Sequence, residues 1–307
     1  MRYLKYLALP VLLAFIVLSC EKEGLNLEGE VPQEIIDKIA HLGFNPDGIE
    51  AVEEGYRIER DIIITHEFLN SVPKIHEVPG AEQYRTFNLV ATGGSRTITV
   101  YLEEESGGDG GGGGGGGGGP PAGKGPNAQS GGSGGGGSSS AAFSSTYGLA
   151  LNEAISRFNG ESLTLNFERV TTTSADIVFT RLSKRDENRG VLGSAGFPTD
   201  SGDPYGEIKM SGVLESNYGL SVNGIATIMA HEMGHCIGFR HTDYFDRSIS
   251  CGSGGNEGQE TTGVGAVHIP NTPTGASLAD QSWMLSCTDG SDRPFNGDDK
   301  TALSELY

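Results

Sequence analysis

Three histidines in one short window carry the chemistry that this chain offers. The run Ala230-His231-Glu232-Met233-Gly234-His235-Cys236-Ile237-Gly238-Phe239-Arg240-His241 opens with H-E-x-x-H. On a helix, His231 and His235 stand four residues apart and share a face. Their Cβ atoms then lie roughly 6 Å apart, so both rings can converge on one ion. Zinc takes nitrogen donors in a tetrahedron and, where it is catalytic, keeps one position for water. Glu232 adjoins the first of these histidines, where its carboxylate can take a proton from that water. Gly238 lets the chain leave the helix sharply, because glycine accepts positive φ without steric cost. That turn can return His241 as a third ligand. Of the seven histidines in the chain, these three alone fall together at ligand spacing.

Positioning such a set needs a helix, a turn and a sheet behind them. Ser221 and Asn223 are both competent caps for the start of the helix, and Ile225, Ile228 and Met229 supply it with a core face. Upstream, residues 95–102 alternate and are rich in β-branched side chains, which reads as a strand. Residues 144–159 read as a helix, and 163–168 and 175–181 as two more strands. Between the first strand and this helix, residues 107–140 are dominated by glycine and serine. Such a stretch buries almost nothing and cannot repay its ordering entropy. It reads as a disordered insertion into one domain rather than a linker, since closure cost grows only with the logarithm of loop length.

With H-E-x-x-H extended to H-E-x-x-H-x-x-G-x-x-H, the chain resembles the metzincin clan of zinc metallopeptidases. The resemblance implies His231, His235 and His241 as zinc ligands and Glu232 as the catalytic base and acid. It further implies a methionine turn beneath the metal, for which Met284 in Ser282-Trp283-Met284-Leu285 is the candidate. The run through Thr242 and Asp243 is most similar to the bacterial HEIGH metallopeptidases. Astacins have glutamate directly after the third histidine and tyrosine two residues after the methionine; here Thr242 and Ser286 stand there instead. The fold this implies is α+β: a twisted mixed sheet with a backing helix and a zinc helix, then a smaller C-terminal subdomain with the methionine turn. Residues 299–307 resemble the C-terminal helix of the clan. The resemblance also sets an edge strand near residues 206–210, against which a peptide could add as an extra strand. The expected activity is zinc-dependent endopeptidase cleavage of protein or peptide substrates. Two rivals remain open: a gluzincin-like site with a downstream glutamate ligand, Glu257 in Asn256-Glu257, and a surface lipoprotein that uses a zincin fold for binding alone.

The N-terminal part divides into two pieces. Residues 1–20 begin with Arg2 and Lys5, continue with an apolar run over 7–18 that is short for a membrane span, and end Leu18-Ser19-Cys20. This resembles a bacterial lipoprotein signal, which implies Cys20 as the lipidated residue and a place in the bacterial cell envelope. The expectation is lipid anchoring to a membrane, the outer one, with its periplasmic or surface face open. Residues 21–94 read as a propeptide-like region ahead of a metallopeptidase domain over 95–307. Residues 34–40 have helical apolar spacing, and 56–65 read as one extended stretch. In some metzincins a propeptide aspartate in Glu-Gly-Asp-Ile caps the zinc. Glu59-Arg60-Asp61-Ile62 is similar, with arginine for glycine, and it implies Asp61 as a latency switch.

Charge and cysteines set the remaining bounds. With 40 acidic against 21 basic residues and a formal net charge of −19, the chain lacks the basic face that nucleic acid requires. Oligomeric state is not readable. Of four cysteines, Cys251 and Cys287 are the expected disulfide in an oxidising compartment, although a pairing that uses Cys236 stays open. Asp292, Asp298 and Asp299 match no calcium loop and read as solvated acids.

Overall fold

The computed structural model describes residues 31–42, 44–71, 83–105, 142–253, 255, 266–273 and 275–307. Cys20, the signal-like segment, the glycine tract at 107–140 and Asn256-Glu257 lie outside the described residues. Among the described residues, no helix is long and apolar enough to cross a membrane.

The N-terminal unit is built from α1 (Gln33–His41) and three short strands, β1 (Glu50–Val52), β2 (Gly55–Ile58) and β3 (Ile62–Thr65), in an antiparallel meander. The stretch read as one extended run over 56–65 is instead a hairpin. Glu59 and Arg60 both adopt left-handed backbone, at φ 54° and 84°, and reverse the chain without any glycine. A small core of Ile39, Leu42, Phe44, Ile58, Ile62 and Ile64 holds this unit together, and Phe197 of the following unit closes it. The helix α2 (His66–Ser71) ends the segment.

Part of the region read as propeptide-like, residues 83–90, hydrogen-bonds to the segment that follows Cys236. The strand β4 (Tyr84–Arg85) and its neighbours are bound to the turn between Cys236 and His241. Thr86 N–H donates to Gly238 O at 2.8 Å and Arg240 N–H to Tyr84 O at 2.8 Å. The main sheet follows, from β5 (Arg96–Leu102), α3 (Ser145–Asn159), β6 (Leu165–Val170), β7 (Ile177–Arg181), α4 (Lys184–Asn188), β8 (Gly193–Ser194) and β9 (Glu207–Met210). Its order is β6-β5-β7-β9-β8, parallel except for β8. Alternation puts Ile98, Val100 and Leu102 of β5 into the core. The helix α3 turns Ala150, Leu151, Ala154, Ile155 and Phe158 to the same core, at the spacing of one helical face.

The short α5 (Leu214–Tyr218) leads into α6 (Val222–Cys236), which packs along α3. Ser221 caps α6, accepting from Gly224 N–H at 3.2 Å. From Gly224 to its end the helix is buried all round, as expected of a helix with apolar residues on every side rather than one core face. A turn of helix, α7 (Ser248–Cys251), and a short strand, β10 (Val267–His268) paired with β4, precede the last helix, α8 (Gly297–Leu306). That helix starts with a capping box: Asn296 Oδ1 accepts from Asp299 N–H and Asp299 Oδ2 from Asn296 N–H.

The substrate edge expected near 206–210 is displaced. β9 lies inside the sheet, because β8 pairs with it antiparallel from outside. The outer strand on that side is therefore β8, continued by Ala195. The N-terminal hairpin has already added there: Ile63 N–H donates to Ala195 O at 2.7 Å and Ala195 N–H to Asp61 O at 2.8 Å, in parallel register.

Candidate metal centre

His231 and His235 occupy successive turns of α6, and each is oriented through its Nδ1. His231 Nδ1–H donates to Trp283 O at 2.9 Å, and His235 Nδ1–H to Phe239 O at 2.8 Å. With Nδ1 engaged, each ring turns its Nε2 lone pair inward, the tautomer a metal needs. After α6 the chain reverses at Gly238, where φ is +107° and a side chain would press on Asn88 O at 2.9 Å. The reversal brings His241 Nε2 to 3.3 Å from His231 Nε2.

The fourth donor comes from the N-terminal hairpin. Asp61 Oδ2 lies 3.2 Å from His241 Nε2 and 3.9 Å from His231 Nε2. All four donor atoms fall within 4.8 Å of one another. A tetrahedron with metal–nitrogen bonds of about 2.0–2.1 Å has edges of about 3.3 Å, so the spacing suits a single zinc. His235 Nε2 is buried without a hydrogen-bond partner, a cost that a cation in the ring of donors removes. Burial, and then the neighbouring His241, lower the pKa of His231; burial and both neighbouring imidazoles lower that of His235. These two rings are thus neutral at neutral pH and free to donate lone pairs. Burial works the other way on Asp61, but the imidazoles around it prevail and hold its carboxyl below the usual range.

Glu232 stands beside this set and not within it. Its carboxylate lines a cavity of about 230 Å³ together with His231, Val191, Gly193, Ile228 and Leu285. Burial, followed by the charge of Asp61, pushes its pKa well up. Such a group binds a proton readily.

The floor and wall are braced by hydrogen bonds that the sequence did not reveal. Met284 is wholly buried below the helix, and Thr242 N–H donates to Met284 O at 2.8 Å. Asp243, also wholly buried, accepts from Ser286 N–H at 2.9 Å, Ser286 Oγ at 2.7 Å and Ser250 Oγ at 2.5 Å. Cys251 and Cys287 form a disulfide across the same wall, and Cys236 is free and buried. Asp299, read as a solvated acid, is instead a buried hub: it accepts from Gln83 Nε2 at 2.8 Å and Ser282 Oγ at 2.7 Å. Arg240, which no motif marked, and Glu59, quoted only as a neighbour of Asp61, are both buried beside His241.

Two buried imidazoles on α6, a third returned by the turn after it, a carboxylate lining the next cavity and a buried methionine close by make up a site that could hold a metal ion. The family model of the dual-action HEIGH metallopeptidases matches residues 133–307, and the chain belongs to that family. A peptidase of this kind binds protein or peptide substrates. Among solved structures, high choriolytic enzyme 1, a hatching-enzyme zinc protease from Oryzias latipes (medaka fish), is similar at 19% identity. The match covers 72% of this chain and 94% of that one, with a TM-score of 0.35. Myroilysin is similar at 12% identity, covering 80% of this chain and 98% of that one, with a TM-score of 0.33. No curated protein matches.

Proposed function

We propose that the chain is a latent zinc endopeptidase in which Glu232 moves the protons, Asp61 blocks the metal position meant for water, and Cys20 carries a lipid anchor. The observation that carries the catalytic part is the placement of Glu232: buried, outside the donor set, and facing the cavity next to His231. His231, His235 and His241 would hold the zinc. When bound, that ion supplies Lewis acidity, polarising the scissile carbonyl and making water a nucleophile near neutral pH. Glu232 accepts the proton of the attacking water and passes it to the leaving amine. The substrate backbone takes the sheet edge at 193–195, where the N-terminal hairpin now lies.

The same hairpin supports the latency reading. The carboxylate that would fill the fourth position is Asp61, and the segment around it covers the edge. Two arginines fasten the N-terminal unit to α4 and its end: Arg57 makes paired 3.1 Å bonds with Asp186, and Arg189 reaches Glu50 at 2.8 Å. Inhibition thus belongs to the segment up to residue 71, while residues 83–94 stay with the enzyme. Anchoring rests on the Leu18-Ser19-Cys20 run and implies an envelope location, with the lipid on the outer membrane.

A peptide-library digest tests the activity. The full chain, activated by limited proteolysis, should cut library peptides, lose that cutting to a chelator and regain it with zinc. Cutting that persists in chelator defeats the reading. Asp61→Ala should reach activity at a lower dose of the activating protease than the unsubstituted chain; identical dose curves remove Asp61 from its role. Cys20→Ser should leave the membrane fraction, and its retention there would argue against the lipid.

A further inference from the structure

We infer that Asp299 is a positioning residue of the metal centre: from the start of α8 it fixes the two backbone segments that hold the first and third imidazoles in place. The inference rests on the zinc reading above, and on neither the latency nor the anchor.

Asp299 is wholly buried, and donors from three stretches of chain converge on its carboxylate. Oδ1 accepts from Ser282 Oγ at 2.7 Å and from Gln83 Nε2 at 2.8 Å. Oδ2 accepts from Asn296 N–H at 2.9 Å and, more weakly, from Trp283 N–H at 3.4 Å. The Asn296 bond belongs to the cap of α8. The others leave the helix and reach the walls of the metal site.

One wall is the methionine turn. Trp283, whose N–H reaches Asp299, is also the residue whose carbonyl accepts from His231 Nδ1 at 2.9 Å. Ser282 extends the contact. A hydroxyl has one proton to donate, and Ser282 gives it to Asp299. Its lone pairs then accept from Met284 N–H at 3.3 Å and from the Thr242 hydroxyl at 2.9 Å. Thr242 directly follows His241, and its own N–H ties it to the same turn through Met284 O at 2.8 Å. The other wall is the stretch that begins at Gln83. Tyr84 O accepts from Arg240 N–H and Gly238 O from Thr86 N–H, both at 2.8 Å, so this stretch holds the reversal that returns His241. Asp299 is thus common to the support of His231 and to both supports of His241.

The position needs a carboxylate because every one of these neighbours donates. An amide offers one accepting oxygen and one donating NH2. In either orientation of an asparagine, two of the donors would face the NH2 and lose their acceptor. The segment bound there would then shift, and the imidazole behind it with it. Replacing the partners that orient a metal-binding histidine typically lowers metal affinity by about 10–100-fold.

Zinc affinity of the full chain, measured by competition with a chromogenic chelator, tests this. Asp299→Asn should bind zinc at least about tenfold more weakly than the unsubstituted chain. The visible spectrum of its cobalt-loaded form should shift as well, since the bands report donor geometry. Asn296→Ala is the control. It removes the side-chain cap of α8 and keeps the backbone donor to Asp299, so it should lower Tm and leave zinc affinity and the cobalt spectrum unchanged. Ser282→Ala should weaken zinc by itself and add little to Asp299→Asn, because both cut one connection. Unchanged zinc affinity in Asp299→Asn overturns the inference. Equal weakening in Asn296→Ala overturns it too, since the effect would then be one of helix stability. If Asp299→Asn does not fold, Ser282→Ala against Asn296→Ala decides by the same rule. An unsubstituted chain that binds no zinc overturns the zinc reading and this inference with it, so that chain alone tells the two failures apart.

Discussion

Gly193→Ala tests the role of Glu232 without touching Glu232. Gly193 lies on the edge strand β8, and a Cβ built there would stand 2.8 Å from both Cγ and Cδ of Glu232, and closer still to Oε1. Ordinary contact begins at 3.4 Å, so the carboxylate, whose Oε1 is met most closely, must retreat by about 1 Å. The obstacle is the end of a side chain and not backbone, so the fold can yield at modest cost, within the ~1–3 kcal/mol typical of overpacking. Catalysis is less forgiving, because a misplacement of ~1 Å is worth about 100-fold in rate. The expected result is a kcat lowered about 30- to 100-fold, one zinc per chain as before, and a small change in Tm. Steady-state kinetics on a quenched fluorescent peptide, with metal analysis and a thermal melt on the same sample, would show it. If kcat is unchanged while the alanine is in place, proton transfer does not run through Glu232 at that position.

Two further outcomes follow from the geometry. Burial raises the pKa of Asp186, but the hydrogen bonds and charge of Arg57 outweigh it and hold the carboxyl below its ordinary value of 3.8. A depressed carboxyl contributes stability above its ordinary pKa and loses it as pH falls through the depressed one, so hairpin docking should weaken below about pH 4. Protection of the N-terminal segment from added protease, followed against pH, should show this loss, and Asp186→Asn should be weakly protected at every pH; an identical profile in the variant would exclude the pair. Replacing Cys251 and Cys287 by serine opens a loop whose ends are 36 residues apart, which should lower stability by about 3–4 kcal/mol. Denaturant titration measures it, and an unchanged midpoint would mean that the Asp243, Ser250 and Ser286 bonds hold the wall by themselves.

What the sequence disclosed follows from how locally each feature is encoded. His231, His235 and His241 were legible because helical periodicity and one glycine fix their spacing within a dozen residues. Ile98, Val100 and Leu102 disclosed β5 through alternation, and α3 was readable from its repeating apolar face. The edge strand was misplaced because Gly193-Ser194 has no pattern of its own; only pairing with β9 makes it a strand. Glu59-Arg60 hid a hairpin turn, since neither residue is one that usually accepts positive φ. Asp299 looked like one of several surface acids, and nothing local marks a carboxylate whose partners, Gln83 and Ser282, come from distant stretches. Arg240 and Glu59 are of the same kind: their meeting depends on how the N-terminal unit docks.

The central claim, that three imidazoles hold one zinc while a separate carboxylate moves the proton, is tested most directly by measuring zinc content and peptide hydrolysis together on activated Glu232→Gln. The amide keeps the shape of the side chain and loses its basicity. The expected result is one zinc per chain, as in the unsubstituted protein, with hydrolysis reduced at least about 100-fold, the lower end for a general base. Full hydrolysis with full zinc would contradict the claim, and so would loss of the metal, since that would make Glu232 a ligand and not a base.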